Sequence, residues 1–458
     1  MSQLQRRALK GEKTMSKKAR AKREAGLSPF QSPSASGAPS PAVSQPSSRP
    51  GSRPGSRLSS RPASHYGSDD EFEGDDYLGF EDSASASSGE EGLTWADRLL
   101  DLIRELQGHK DQKRTSVQDR ELALAGYSHI LRHHYAEEHL SSVLDDILPT
   151  FLKQIRAGRS NKERARALQA FTLTLLTCPS DKDYEQAISA LKTVCEDVED
   201  NNVKIDAIHA LCVAVIYGGG NNAATEELLD FFLEIVSTDG DSVRAPDDGS
   251  VVTAALQAWA FLATHVDDLT VKGEEAVESF LDQLDSADSD VKVNAGANLA
   301  LLFEAAREQE EETGQSFITA YNQHRIMTQM AKIMRDSSKT ISKKGRRHVR
   351  TNFSSIVTSV ERGKGPGYST AGRWGNPHTG GTAEEEIDGG FAEFGYREKI
   401  RLPNRWIVIN TWFLRARAEL LKTLLGGGLL VHYEENPTVR ELFRGADVEF
   451  TPAKKFRK

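Results

Sequence analysis

Three groups of residues in this chain have types that could do chemistry, and their spacing argues against a reaction in each. His133-His134-Tyr135-Ala136-Glu137-Glu138-His139 places His134 and Glu138 four residues apart, one turn of helix, as helical metal ligands are placed. The order is not His-Glu-x-x-His, and no further ligand is placed nearby, so the cluster reads as a polar helix surface. His432, Asn436 and Arg440 also recur at four-residue intervals. However, Asn436-Pro437 has the chemistry of an N-cap followed by a first helical position, so the three need not share a face. Two readings stay open for them: polar residues that fix a turn and a helix start, or part of an RNA- or partner-contacting surface. Gly426-Gly427-Gly428 follows an amphipathic segment instead of opening one, the wrong polarity for a phosphate loop, and a helix stop explains it. The sequence has no P-loop, nucleophile elbow or paired-carboxylate site. No catalytic residue, cofactor, metal or small-molecule substrate is therefore assigned.

Positive charge is the stronger signal. Six Lys or Arg fall within residues 339–350: Lys339, Lys343, Lys344, Arg346, Arg347 and Arg350, with His348 among them. Phe353, Ile356, Val357 and Val360 then supply an apolar stripe. Such a density exceeds what a solvated face needs, and each phosphate it neutralised would steepen the salt dependence of binding. A surface helix, an RNA or ribosome contact and a nuclear-import signal are all compatible with it. Lys343, Lys344, Arg346, Arg347 and Arg350, helped by Lys454, Lys455, Arg457 and Lys458, are the candidate RNA- or partner-binding residues. Residues 1–25 hold nine Lys or Arg against Glu12 and Glu24, whereas residues 69–91 hold ten acids and no cation. The net charge of −9 thus conceals segregated blocks and does not exclude a nucleic-acid partner.

These side chains must be carried by repeated helices. An alanine is followed four residues later by a large apolar residue in Ala123/Tyr127, Ala167/Phe171, Ala207/Leu211, Ala255/Trp259 and Ala295/Leu299. The units recur after 44, 40, 48 and 40 residues, the period of two-helix HEAT/armadillo repeats. A cation precedes the alanine by three in Arg120, Arg164, Lys204 and Lys292, and Asp119, Asn201, Asn202 and Asp290 are read as N-cap residues. The expected helices are 117–136, 140–156, 161–177, 183–197, 203–217, 224–236, 250–264, 272–284, 290–308 and 317–335, after a first one capped by Thr94. The fold class is an all-α, HEAT/armadillo-like α-solenoid over residues 93–362. Residues 1–92 form a Ser/Pro/Arg-rich, then acidic, tail whose composition cannot offset the entropy of ordering. Ser52, Ser56, Ser60 and Ser68 in it are candidate phosphorylation sites that would cancel basic charge. A Gly-rich insert (363–395), a small α domain with one or two short strands (396–446) and a basic tail (447–458) complete the organisation. Cys178, Cys195 and Cys212 are isolated, which suits a reducing compartment. No apolar run is long enough to span a bilayer, and an h-region for secretion is missing.

Three blocks together resemble one known family. VKVNAGANLALLFEAAR (291–307) closes the repeats, SKKGRRHVRTNFSSIVTSVE (342–361) is the basic segment, and the third has the spacing W-x13-G-x-G-x3-H-x3-N-x3-R-x2-F-x-G. Its residues are Trp412, Gly426, Gly428, His432, Asn436, Arg440, Phe443 and Gly445. In that order they resemble the interferon-related developmental regulator family. The resemblance implies a non-enzymatic regulator of gene expression, cytoplasmic and/or nuclear. Two activities go with it: binding of non-translating ribosomes, with a basic C-terminal helix in the mRNA path, and transcriptional co-regulation through histone-deacetylase corepressor complexes. After Gly445 this chain has only ADVEFTPAKKFRK, so the long basic tail of the animal proteins is not carried over.

Overall fold

Residues 94–108, 116–318, 323–335, 342–368, 398–402 and 405–450 are described in the computed structural model. The N-terminal tail with its serines, most of the Gly-rich insert, and Lys454, Lys455, Arg457 and Lys458 lie outside the described residues. In chain order the helices are α1 (Trp95–Gln107), α2 (Val117–His133), α3 (Glu137–Leu140), α4 (Leu144–Ala157), α5 (Asn161–Thr177), α6 (Tyr184–Asp197) and α7 (Asn201–Tyr217). Then follow α8 (Asn222–Ser237), α9 (Gly249–Ala263), α10 (Thr270–Gln283), α11 (Ser289–Thr313), α12 (Gln323–Arg335) and α13 (Lys343–Arg362). Strands β1 (Glu398–Arg401) and β2 (Arg405–Ile409) precede α14 (Trp412–Leu425), α15 (Leu429–Glu435), α16 (Pro437–Leu442) and β3 (Asp447–Phe450).

The repeat alanines build one row. They lie on α2, α5, α7, α9 and α11, which pack successively on one another, and α13 adds a sixth member beyond α11. All five alanines and all five residues four positions later are buried, since a methyl group lets one helix approach while the larger neighbour fills the gap beside it. The other helix of each unit (α4, α6, α8, α10, α12) forms a second row behind. Side-chain caps open the first-row helices: Ser116, Ser160, Asp200, Asp248 and Asp288 each accept a backbone N–H two or three residues on. These caps stand upstream of the residues expected from sequence, and Asp119 instead completes the capping box of Ser116. The expected helix 140–156 begins only at Leu144, after the separate turn α3, and the helix from 117 stops at His133.

Two of the cations before the alanines are internal. Arg120 donates from Nε and Nη2 to the two oxygens of Glu163 on α5, at 2.6 and 3.1 Å. Lys204 is fully buried and donates to the carbonyls of Cys195 (3.0 Å) and Val243, so it satisfies carbonyls at the end of α6 and in the α8–α9 loop.

The three strands form one antiparallel sheet in the order β1-β2-β3, with Ile407 opposite both Ile400 and Val448. Sequence reading gave at most two strands and left 447–450 in a basic tail. The third forms because Gly445, at φ 86°, turns the chain back after α16. Glu398 of β1 ties the sheet to α14 through Arg415 (3.4 Å) and Lys422 (3.3 Å).

Candidate nucleic-acid interface

The cationic segment is the start of α13, and packing decides which way it faces. Val349, Phe353, Ile356 and Val360 are buried among α11 and α12. Gly296 of α11 permits this approach, because a Cβ there would lie 3.0 Å from Ile356 Cδ1 and 3.2 Å from the Phe353 ring. Lys343, Lys344, Arg347 and Arg350 are left exposed, with Arg346 half-buried. Ser342 caps the helix by accepting the Gly345 N–H at 3.0 Å.

The electrostatics of this end are unusual. A helix N-terminus carries partial positive charge and favours acids, yet here four cations occupy the first turns. Among the described residues, Lys343, Lys344 and Arg347 form no ion pair. Arg350 donates at 3.4 Å to the Met334 carbonyl, and His348 stands 3.6 Å from Asp290. Helix charge and side-chain charge therefore add, and an external polyanion would relieve both.

The residues of the third sequence block do different work: they strap the C-terminal segment along the first row. In four of the five units a contact falls at the position nine residues beyond the repeat alanine, namely Arg132, Leu176, Thr264 and Glu304. Glu304 accepts the N–H groups of Trp412 (2.8 Å) and Phe413 (3.2 Å), so an α11 carboxylate caps α14. Burial pushes that carboxyl up to about 7. Arg417 donates to the Thr264 carbonyl (2.7 Å) and hydroxyl (3.0 Å). Arg132 donates to the Leu424 carbonyl at 3.3 Å. Asn436 donates from Nδ2 to the Leu176 carbonyl at 3.1 Å, and one residue short of Arg132 the Leu131 carbonyl accepts from His432 Nε2 at 2.8 Å. Arg415 of α14 also reaches Asn352 of α13 at 3.0 Å, which ties the strap to the cationic helix.

His432 and Asn436 are therefore fully buried, and their polar atoms are spent on ends of α2 and α5. Asn436 is also the N-cap of α16, its Oδ1 accepting from Thr438 and Val439, as Asn-Pro chemistry predicts. Arg440 is exposed and folds back on the carbonyls of Tyr433 and Glu434. Trp412 and Phe443 are buried, and Gly428 sits against the Arg132 carbonyl. The histidine-rich stretch at the end of α2 is a stacking site: the His134 ring lies parallel to Trp95 of α1 at 4.6 Å, with His139 at 5.5 Å from it.

A pH dependence follows for the strap. The Leu131 carbonyl can only accept, so His432 carries its proton on Nε2, and Nδ1 faces the Asn436 amide at 3.4 Å. A second proton would set two donors head to head. Burial accordingly pulls this imidazole below its ordinary value near 6.5. Because the folded value is depressed, the contribution is full above about pH 6.5 and is lost as pH falls through the lower folded value. Acid titration of intrinsic Trp fluorescence should show a transition that weakens in His432→Gln; an unaltered titration would rule His432 out as its source.

Sequence reasoning missed Glu304, Thr264, Arg417 and Arg132. For Arg132, Thr264 and Glu304 the one available signal is their shared place in the repeat, since their side chains have nothing else in common, and Arg417 of α14 carries no such signal.

Comparison with known proteins places these features in context. The profile described as interferon-related developmental regulator matches residues 62–361. A Schizosaccharomyces pombe protein is 24% identical over 362 residues, covering 76% of this chain and 74% of that one. Interferon-related developmental regulator 1 of Sus scrofa is 24% identical over 383 residues, covering 80% and 76%. Interferon-related developmental regulator 2 of Mus musculus is 26% identical over 201 residues, covering 42% and 36%.

Proposed function

We propose, from the premise that the chain belongs to the interferon-related developmental regulator family and so is a regulator of gene expression, that it docks on ribosomal RNA and restrains translation. The reading is of a non-enzymatic helical-repeat scaffold whose recognising surface is the start of α13. The observation that carries it is the exposed group Lys343, Lys344 and Arg347, unpaired among the described residues, at the positive end of a helix. Phosphates are the ligand such a surface fits, and rRNA offers them at high density. The face of the first row covered by the strap is closed to a protein partner, which disfavours the alternative of a nuclear adaptor for corepressor complexes that uses that face.

Sucrose-gradient sedimentation of cell extract tests the reading. At low salt the protein should co-migrate with intact ribosomes, and moderate salt should release it. Charge reversal at Lys343, Lys344, Arg346 and Arg347 should abolish the co-migration without changing the circular dichroism spectrum. Persistence of the reversed variant on ribosomes would remove α13 from the interface. Recovery with chromatin, and free protein across the gradient, would favour the adaptor.

A further inference from the structure

At two steps of the second row, a lysine of one helix meets a carboxylate of its neighbour. Lys192 of α6 pairs with Glu227 of α8 at 2.5 Å and lies 5.4 Å from the Phe231 ring centre. Lys272 of α10 pairs with Asp230 of α8 at 2.6 Å. At the step from α4 to α6, Lys182, just before α6, pairs with Asp145 in the first turn of α4 at 2.6 Å, and the last turns of α4 are left without such a pair among the described residues. Arg156 of α4 reaches only the Gln186 carbonyl, at 3.2 Å, and among the described residues neither it nor Lys153 forms an ion pair.

A groove of about 580 Å³ lies at that step, lined by Pro149, Leu152, Lys153, Arg156, Ala157 and Gln186. Residues 153–166 bring six Lys or Arg to this end of α4 and α5 against one acid, Glu163, which Arg120 neutralises internally. Acids of neighbouring helices stand beside part of this run, Glu121 at Ser160 and Asp200 at Asn161, which leaves Lys153 and Arg156 as the cations on the groove itself.

We propose that the α4–α6 groove docks an acidic peptide segment of a protein partner, with an aliphatic side chain on Pro149 and Leu152 and carboxylates on Lys153 and Arg156. The guanidinium of Arg156 is a planar fork suited to a carboxylate, and the incoming acid would stand where Glu227 stands for Lys192. Nucleic acid fits less well. Among the described residues no aromatic ring lines the groove for a base to stack on, and a phosphate backbone gains nothing from Pro149 and Leu152. The site is separate from the start of α13 and does not depend on ribosome docking.

Fluorescence anisotropy with the full chain and a labelled peptide of about twelve residues of Asp, Glu and Leu tests this. Combined Lys153→Glu and Arg156→Glu should weaken binding by about tenfold or more. Lys343→Glu with Lys344→Glu should leave it unchanged, and replacing the peptide's leucines by serine should weaken it. Should the reversed variant lose its helical spectrum, Lys153→Ala with Arg156→Gln removes the same charges from exposed positions. Equal binding by wild type and either variant would overturn the proposal, as would equal binding of the serine peptide. Displacement of the peptide by an oligouridylate at lower concentration would do so too, by marking a phosphate site.

Discussion

Gly428→Ala is expected to destabilise the protein by about 3 kcal/mol and to loosen the C-terminal segment from the helical row. The added Cβ would fall 1.6 Å from the Arg132 carbonyl oxygen and 2.6 Å from its carbon. Both atoms are backbone near the end of α2, so no side-chain rotation relieves the overlap. The conformation itself is not the obstacle, because Gly428 has φ −82° and ψ −7°, which alanine adopts freely. Gly427→Ala is the matched control: a Cβ there meets nothing within 4 Å, and its effect should stay within about 0.5 kcal/mol. Urea denaturation followed by Trp fluorescence compares the two, since Trp412 is buried at the start of the strap. Equal midpoints for both variants would mean that the segment does not seat on α2 as described.

Arg120→Ala should cost about 4 kcal/mol, because it leaves the Glu163 carboxylate buried without its counter-charge. Only 3% of each side chain is exposed. Burial raises the Glu163 carboxyl, but the Arg120 hydrogen bonds and the Arg159 N–H (2.9 Å) together hold it below its ordinary value near 4.5. With the folded value depressed, the pair contributes fully above about pH 4.5 and loses its contribution as pH falls further. The single variant should therefore approach wild-type stability at low pH. Arg120→Leu combined with Glu163→Leu should recover most of the loss at neutral pH, since an apolar pair of similar volume avoids desolvating two charges. A double-mutant cycle in calorimetry reads both effects. A loss below about 1 kcal/mol for Arg120→Ala would show that the pair is solvated and does not join the first two units.

The second prediction rests on a residue that sequence could locate and the first on one it could not interpret. Arg120 was visible as the cation three residues before a repeat alanine, although its partner was not. Gly428 was visible only as part of a glycine run that reads as a helix stop. The run does stop α14, but its third glycine is required because another backbone passes beside it.

Periodicity, capping chemistry and the apolar stripe of α13 act over a few residues, and for that reason the chain alone determined the helices, the repeat period, the cationic helix start and the family. The strap joins groups 301 residues apart in His432 and Leu131, and 260 apart in Asn436 and Leu176. Its acceptors there are backbone carbonyls, which every residue possesses and no side chain advertises. Only the stacking of the row brings those helix ends into line, so only the tertiary structure could decide that His432 and Asn436 are internal while Arg440 is exposed, and that the cationic start of α13 faces outward.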